Sequence, residues 1–275
     1  MLIKTDDEID LYIEVRGNGI PCIFLHGGPG YWSKSFSETA GSLLEDHMEM
    51  IYMDQRGCGR SSSNTKNYTL KRLLRDIDTV RLKLNIDEFY LMGHSFGGIL
   101  AVNYAYYFSQ YTKGLILSNV TLNMEASFRH QIKKGSKILG IEQMEVEAND
   151  LMSTFYAIQS ELLKQEIYFS LQYKNIKNKT IIDEIDKELM PHPYFQQYIL
   201  SEEEYFKDFT LLTKEIKKPA LILSGQYDDA IGPEHHLSFN FREGINCVLD
   251  SGHHPFIETP SEFAQAIIQF CEMKN

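Results

Sequence analysis

Glu88-Phe89-Tyr90-Leu91-Met92-Gly93-His94-Ser95-Phe96-Gly97-Gly98 is the stretch that decides the fold. Glu88 to Met92 reads as a strand, and its apolar run is that of a strand buried on both faces. Residues 96–107 read as a helix rich in Ala, Leu and Tyr. Between them Gly93-His94-Ser95-Phe96-Gly97 places a serine between two glycines. On a tight strand-to-helix turn this spacing exposes the serine hydroxyl, while the glycines let helix and strands approach closely. Ser95 is expected to be a nucleophile.

The neighbouring sequence repeats the alternation. Residues 1–17 read as a hairpin around Asp6-Asp7-Glu8, and Pro21 to Leu25 and Met48 to Met53 read as strands. A helix is expected from Thr69, with Leu73, Ile77, Val80 and Leu84 on one face. Gly114 to Ser118 is a further buried strand. The pattern then breaks: about 122–213 is long, polar and helical in character, and reads as an inserted lid. It resumes with strands at Pro219 to Leu223 and Ile245 to Leu249. A last helix is expected with Thr259 as cap, Pro260 at its first position and Glu262 completing a capping box. The alternation predicts an α/β fold with a mostly parallel central sheet and helices on both faces. Its core is expected in two parts, 1–121 and 214–275, with a helical cap over 122–213.

Composition narrows the function. The 275 residues are 43% hydrophobic and 24% charged, enough for a substantial core. A net charge of −11 argues against a nucleic-acid partner, which needs clustered Lys and Arg. The four cysteines have neither metal-site nor disulfide-framework spacing, and Cys22 and Cys247 are expected to be buried free thiols. There is no leader-like start and no apolar run of membrane-spanning length, so a cytoplasmic protein without membrane contact is expected. The oligomeric state, monomer or homodimer, is not readable from the sequence.

A serine hydroxyl needs a base, and the base needs a carboxylate to fix its tautomer. In a strand-helix fold of this kind the chain order is Ser, acid, His. After the strand ending at Leu223 comes Ser224-Gly225-Gln226-Tyr227-Asp228-Asp229, where Asp228 is the expected acid by its distance from the strand end. Asp229 is left free to place negative charge at a pocket wall or to face solvent. Gly252-His253-His254-Pro255 follows the next strand, and His253 is the expected base. His26 belongs to a loop at a strand end and is not expected to be the base. The anion formed by attack needs backbone N–H donors: Phe96, and Gly28 or Gly27 from His26-Gly27-Gly28-Pro29-Gly30. Tyr31 and Trp32, just beyond that loop, are expected pocket-lining residues, as are Met152, Phe155 and Tyr156 of the lid. No metal or cofactor motif occurs, and none is expected.

These residues together carry a resemblance. His26-Gly27-Gly28-Pro29-Gly30, Asp54-Gln55-Arg56-Gly57-Cys58-Gly59-Arg60-Ser61, the Gly93 to Gly98 turn, Gly225-Gln226-Tyr227-Asp228 and Gly252-His253 resemble the proline iminopeptidase branch of the α/β-hydrolase superfamily. The resemblance implies a Ser95-Asp228-His253 triad and release of N-terminal residues from short peptides. It also implies acidic groups that hold the free amino terminus, with Asp229 falling where one is expected. A carboxylesterase or lactonase using the same triad is the alternative.

Overall fold

The computed structural model describes residues 1–62, 64–142, 146–190 and 192–274. Eight strands form one sheet: β1 (Leu2–Lys4), β2 (Asp10–Arg16), β3 (Ile20–Leu25), β4 (Met48–Met53), β5 (Phe89–His94), β6 (Thr112–Ser118), β7 (Ala220–Gly225) and β8 (Gly244–Leu249). Their order is β1-β2-β4-β3-β5-β6-β7-β8. The β1–β2 and β2–β4 pairs are antiparallel and all other pairs are parallel.

The strands place alternate residues on opposite faces. Ile23, Leu25, Leu91, Leu115 and Leu117 join one buried cluster with Leu73, Ile77 and Val80. Cys22, Phe24, Tyr90, Met92 and Ile116 join the other, with Phe36, Phe263, Ile267 and Phe270. Each fully buried Leu, Ile or Phe contributes about 1.5–3 kcal/mol, so the central strands are fixed in register from both sides.

The helices are α1 (Lys34–Ser37), α2 (Leu70–Lys83), α3 (Gly97–Tyr107), α4 (Met124–Leu139), α5 (Leu151–Lys164), α6 (Lys179–Asp186), α7 (Pro193–Ser201), α8 (Pro255–Glu258) and α9 (Pro260–Met273). Thr69 caps α2 by accepting from the Arg72 N–H. The capping box expected at α9 does not form. The Thr259 hydroxyl instead donates to the Pro255 carbonyl of the short α8, a competing acceptor invisible in the sequence pattern. Between β6 and β7 run α4 to α7 with several 3₁₀ turns, and no strand occurs there among the described residues. Cys22, Cys58 and Cys271 are buried free thiols, whereas Cys247 is only half-buried.

The Asp54-Gln55-Arg56 stretch after β4 is structural. Gln55 grips His26 twice, with its backbone N–H on Nε2 (3.0 Å) and its side-chain amide on the His26 carbonyl (2.8 Å). Asp54 accepts from Ser33 and Arg60. The fully buried Arg56 guanidinium forks between Asp76 (2.5 and 2.8 Å) and Asp7 (2.9 and 3.0 Å). These contacts fix the loop after β3, one wall of the site.

Candidate active site

Five loops leave the carboxyl ends of β3, β5, β6, β7 and β8 on one edge of the sheet, where ligands bind in open α/β sheets. Ser95 lies between β5 and α3 with φ +52°, a left-handed conformation costing a non-glycine residue about 1–3 kcal/mol. Three backbone bonds hold it there: its N–H donates to Ser118, and its carbonyl accepts from Gly98 and Thr121. Ser95 is 8% exposed at the floor of the site.

Asp228 and His253 meet at 2.9 Å, Oδ2 to Nδ1. Asp228 is 1% exposed and fully engaged. Its Oδ1 accepts from the Ala230 and Ile231 N–H groups (3.0 and 3.3 Å). Its Oδ2 accepts from His253 and from Asn119 Nδ2 (2.7 Å). A carboxylate with four donors stays an acceptor and holds the imidazole with Nδ1 protonated, leaving Nε2 free to take a proton. His253 lines two of the cavities that Ser95 lines.

Sequence reasoning missed Asn119. It sits at the end of β6 with φ +48°, and its amide also donates to the Gly252 carbonyl at 3.1 Å. One side chain thereby ties the acid to the histidine loop. That loop runs very close to its neighbours: a Cβ on Gly252 would lie 2.3 Å from the Gln172 carbonyl, and one on Gly225 would lie 1.9 Å from the Gly252 carbonyl. Only glycine fits at either position. The Gln172 carbonyl in turn accepts the His253 N–H at 2.6 Å.

Phe96 opens α3 and Gly28 (φ +117°) turns the loop after β3 beside Ser95. Among the described residues, no backbone carbonyl takes the N–H of Phe96, Gly28 or Gly27. A Cβ on Gly27 would lie 2.8 Å from that of Ser95, so this loop touches the serine. Free donors beside an N-terminal helix end suit a developing oxyanion.

Two further histidines flank the serine as neutral rings. His26 Nε2 accepts from Gln55, so its Nδ1 carries the proton and donates to Gly27 (2.9 Å). His94 Nε2 donates to the His253 carbonyl at 2.9 Å. Burial, and then the proximity of His253, holds His94 down to about 3. Burial likewise lowers His26 and His254.

Two cavities meet at Ser95 and His253. The first, of about 270 Å³, includes Tyr31, Trp32, His254 and, from α6, Asp183 and Asp186. The second, of about 160 Å³, includes Phe155, Tyr156 and four glutamines. Met152 packs in a small apolar cluster of the α4–α5 region instead.

The structure places Asp229 away from both. It lines a separate cavity with Lys133, Lys134 and His130. His130 (2.8 Å) and Lys134 (2.7 Å) occupy its two oxygens. Burial acts to raise Asp229, but these two partners outweigh it and leave it below the ordinary range. The carboxylates that do reach the Ser95 cavity are Asp183 and, at the end of α6, Asp186, which the sequence reading did not single out. Tyr31 Oη (2.7 and 2.8 Å) and Trp32 Nε1 (2.9 Å) donate to it. Both donors are neutral, and Lys179, also in the wall, pairs with Asp183. Burial raises Asp186 and the Asp183 charge acts in the same sense, against the lowering effect of the Tyr31 and Trp32 donors and of the Lys179 charge. Tyr31 and Trp32 thus line the cavity and present this acid.

No cluster of three or more His, Cys, Asp or Glu suited to a metal occurs among the described residues, and no helix there is long and apolar enough to cross a membrane.

Known proteins share the fold and much of the chain's length. A proline iminopeptidase of Heyndrickxia coagulans is 28% identical over 273 residues, covering 93% of this chain and 91% of the relative. A proline iminopeptidase-related protein of Thermus thermophilus superposes with a TM-score of 0.85 at 20% identity, over 98% of this chain and 95% of that one. An esterase of Exiguobacterium antarcticum superposes with a TM-score of 0.72 at 19% identity, over 99% of both chains. The family model for the alpha/beta hydrolase fold matches residues 20–260. The chain belongs to that family, is a hydrolase, and resembles the proline iminopeptidases within it.

Proposed function

We propose that this hydrolase is a serine aminopeptidase of the proline iminopeptidase type, releasing N-terminal residues from short peptides through an acyl-enzyme. His253 takes the Ser95 proton as the hydroxyl attacks the scissile carbonyl. Asp228 stabilises the imidazolium that forms. The N–H groups of Phe96 and Gly28 receive the oxyanion, with Gly27 beside them. His253 then protonates the departing amine and later activates water to free the acyl group.

The observation that carries the peptidase reading is Asp186. A half-buried carboxylate with only neutral donors, in the cavity that holds Ser95 and His253, is a site for a substrate ammonium. A carboxylesterase or lactonase is the second reading. It is favoured by the other cavity, where no Asp, Glu, Lys or Arg lines the wall among the described residues.

The test is kcat/KM on proline p-nitroanilide and its N-acetyl form, with wild type and Asp186→Asn. The peptidase reading expects rapid cleavage of the free amine, loss on acetylation, and a drop of about tenfold or more in Asp186→Asn confined to the free amine. Turnover of a short p-nitrophenyl ester with neither anilide cleaved would sink the proline-peptidase reading and favour the esterase.

A further inference from the structure

The second cavity beside Ser95 has its own chemistry. Gln131 of α4, Gln159 of α5, Gln172 and Gln196 of α7 converge on a space of about 160 Å³, and His253 borders it. Among the described residues, no side chain with a fixed charge lines it. A primary amide has two donor hydrogens and two acceptor lone pairs. Gln131 spends one of each, donating to Ala230 at 2.7 Å and accepting from Tyr168 at 3.3 Å. Gln172 Oε1 meets His254 Nε2 at 3.2 Å. Both keep unfilled positions. The wall can give and receive hydrogen bonds but cannot neutralise a charge.

We propose that this cavity is the leaving-group subsite and that it selects an uncharged, amide-bearing group over a free carboxylate. Its side of the serine rests on the aminopeptidase reading: an amine at Asp186 puts the acyl part in the first cavity and the departing part in the second. His253 borders both, so it can protonate the departing nitrogen. A peptide unit or terminal carboxamide exchanges its water contacts for glutamine contacts. A carboxylate would lose hydration and find no cation. The enzyme then favours tripeptides and dipeptide amides over free dipeptides.

The test compares kcat/KM for prolyl-glycinamide against prolyl-glycine. A second pair, O-acetylglycolamide against O-acetylglycolate, puts the same contrast on an acyl part without an amine. Each pair is run with wild type and Gln159→Arg. The expected result is an amide preference of about tenfold or more in wild type. Gln159→Arg should reverse the preference by speeding the carboxylate substrates, a gain that misfolding cannot produce. Equal rates within the pairs, or a ratio that Gln159→Arg leaves unmoved, would overturn the subsite. An amide preference in the acetyl pair alone, with no prolyl substrate cleaved, would remove the aminopeptidase reading and leave the subsite standing. If all four substrates stay intact, both fall.

Discussion

The loops at the carboxyl edge of the sheet and the helices between β6 and β7 build the site in opposite ways. Each sheet loop is tied to its strand and to another loop by hydrogen bonds: Gln55 to His26, Asn119 to Asp228 and Gly252, His94 to His253. Their geometry is over-determined, so Ser95 and Asn119 can hold left-handed backbones. The inserted helices instead present side chains across the opening, with Asp186 reaching Tyr31 and Trp32 and the glutamines facing a common space. On the proposed reading, chemistry belongs to the first region and selection to the second. Changes in the sheet loops should reduce turnover of every substrate, and changes in the helices should alter which substrate is chosen.

The largest expected effect is on the acid. Asp228→Asn removes the acceptor that sets the His253 tautomer, and kcat should fall about 10⁴-fold on anilides and esters alike. A loss limited to one substrate class would break the division. Next is the scaffold beneath the loops. Arg56→Met leaves the buried Asp76 with Arg72 as its remaining partner, and urea unfolding should report a loss of about 3 kcal/mol. A loss within about 0.5 kcal/mol would mean the network is not holding the loop after β3.

Asn119 separates side chain from backbone. Asn119→Gly accepts φ +48° without strain but deletes the bonds to Asp228 and Gly252, so kcat should fall about 10–100-fold with KM little changed. Full activity in Asn119→Gly would reduce the residue to a backbone role. The smallest effect is one of pH. On the same reading Asp186 binds an ammonium as a carboxylate, and burial raises its folded value, so acidification protonates it early. Relative to a neutral ester, kcat/KM for a free-amine substrate should fall at a higher pH, and Asp186→Asn should merge the two profiles. Identical profiles in wild type would remove Asp186 from amine binding.

The buried histidines give a stability counterpart. His94 is held down to about 3, whereas an unfolded histidine titrates near 6.5. Between those values the unfolded chain binds more protons, so stability is present above about pH 6.5 and is lost as pH falls below it. His254 and His26, lowered in the same sense, add to the loss.

The difference between the regions also explains what the sequence could reveal. The residues reasoned to form a triad sit on short loops directly after apolar strands, and a strand end fixes the position of the next few residues. Asp229 shows the limit of that logic. Adjacent to Asp228 in the chain, it turns to the opposite side and is taken by His130 and Lys134 of α4, a pairing set by helix docking. Asp186 gave no local signal, being one of 38 acidic residues and lying at the end of a polar helix. Only the docking of α6 on Tyr31 and Trp32 distinguishes it. Asn119 follows β6 as an ordinary turn residue, and its role depends on loops about 110 residues onward.

The most direct test is labelling with a fluorophosphonate followed by peptide mass spectrometry. A serine acyl-transfer enzyme should take up one phosphonyl group on Ser95, lose hydrolytic activity in proportion, and label far more slowly as His253→Gln. Labelling at another residue, or full hydrolysis by Ser95→Ala, would contradict the assignment of Ser95 as nucleophile.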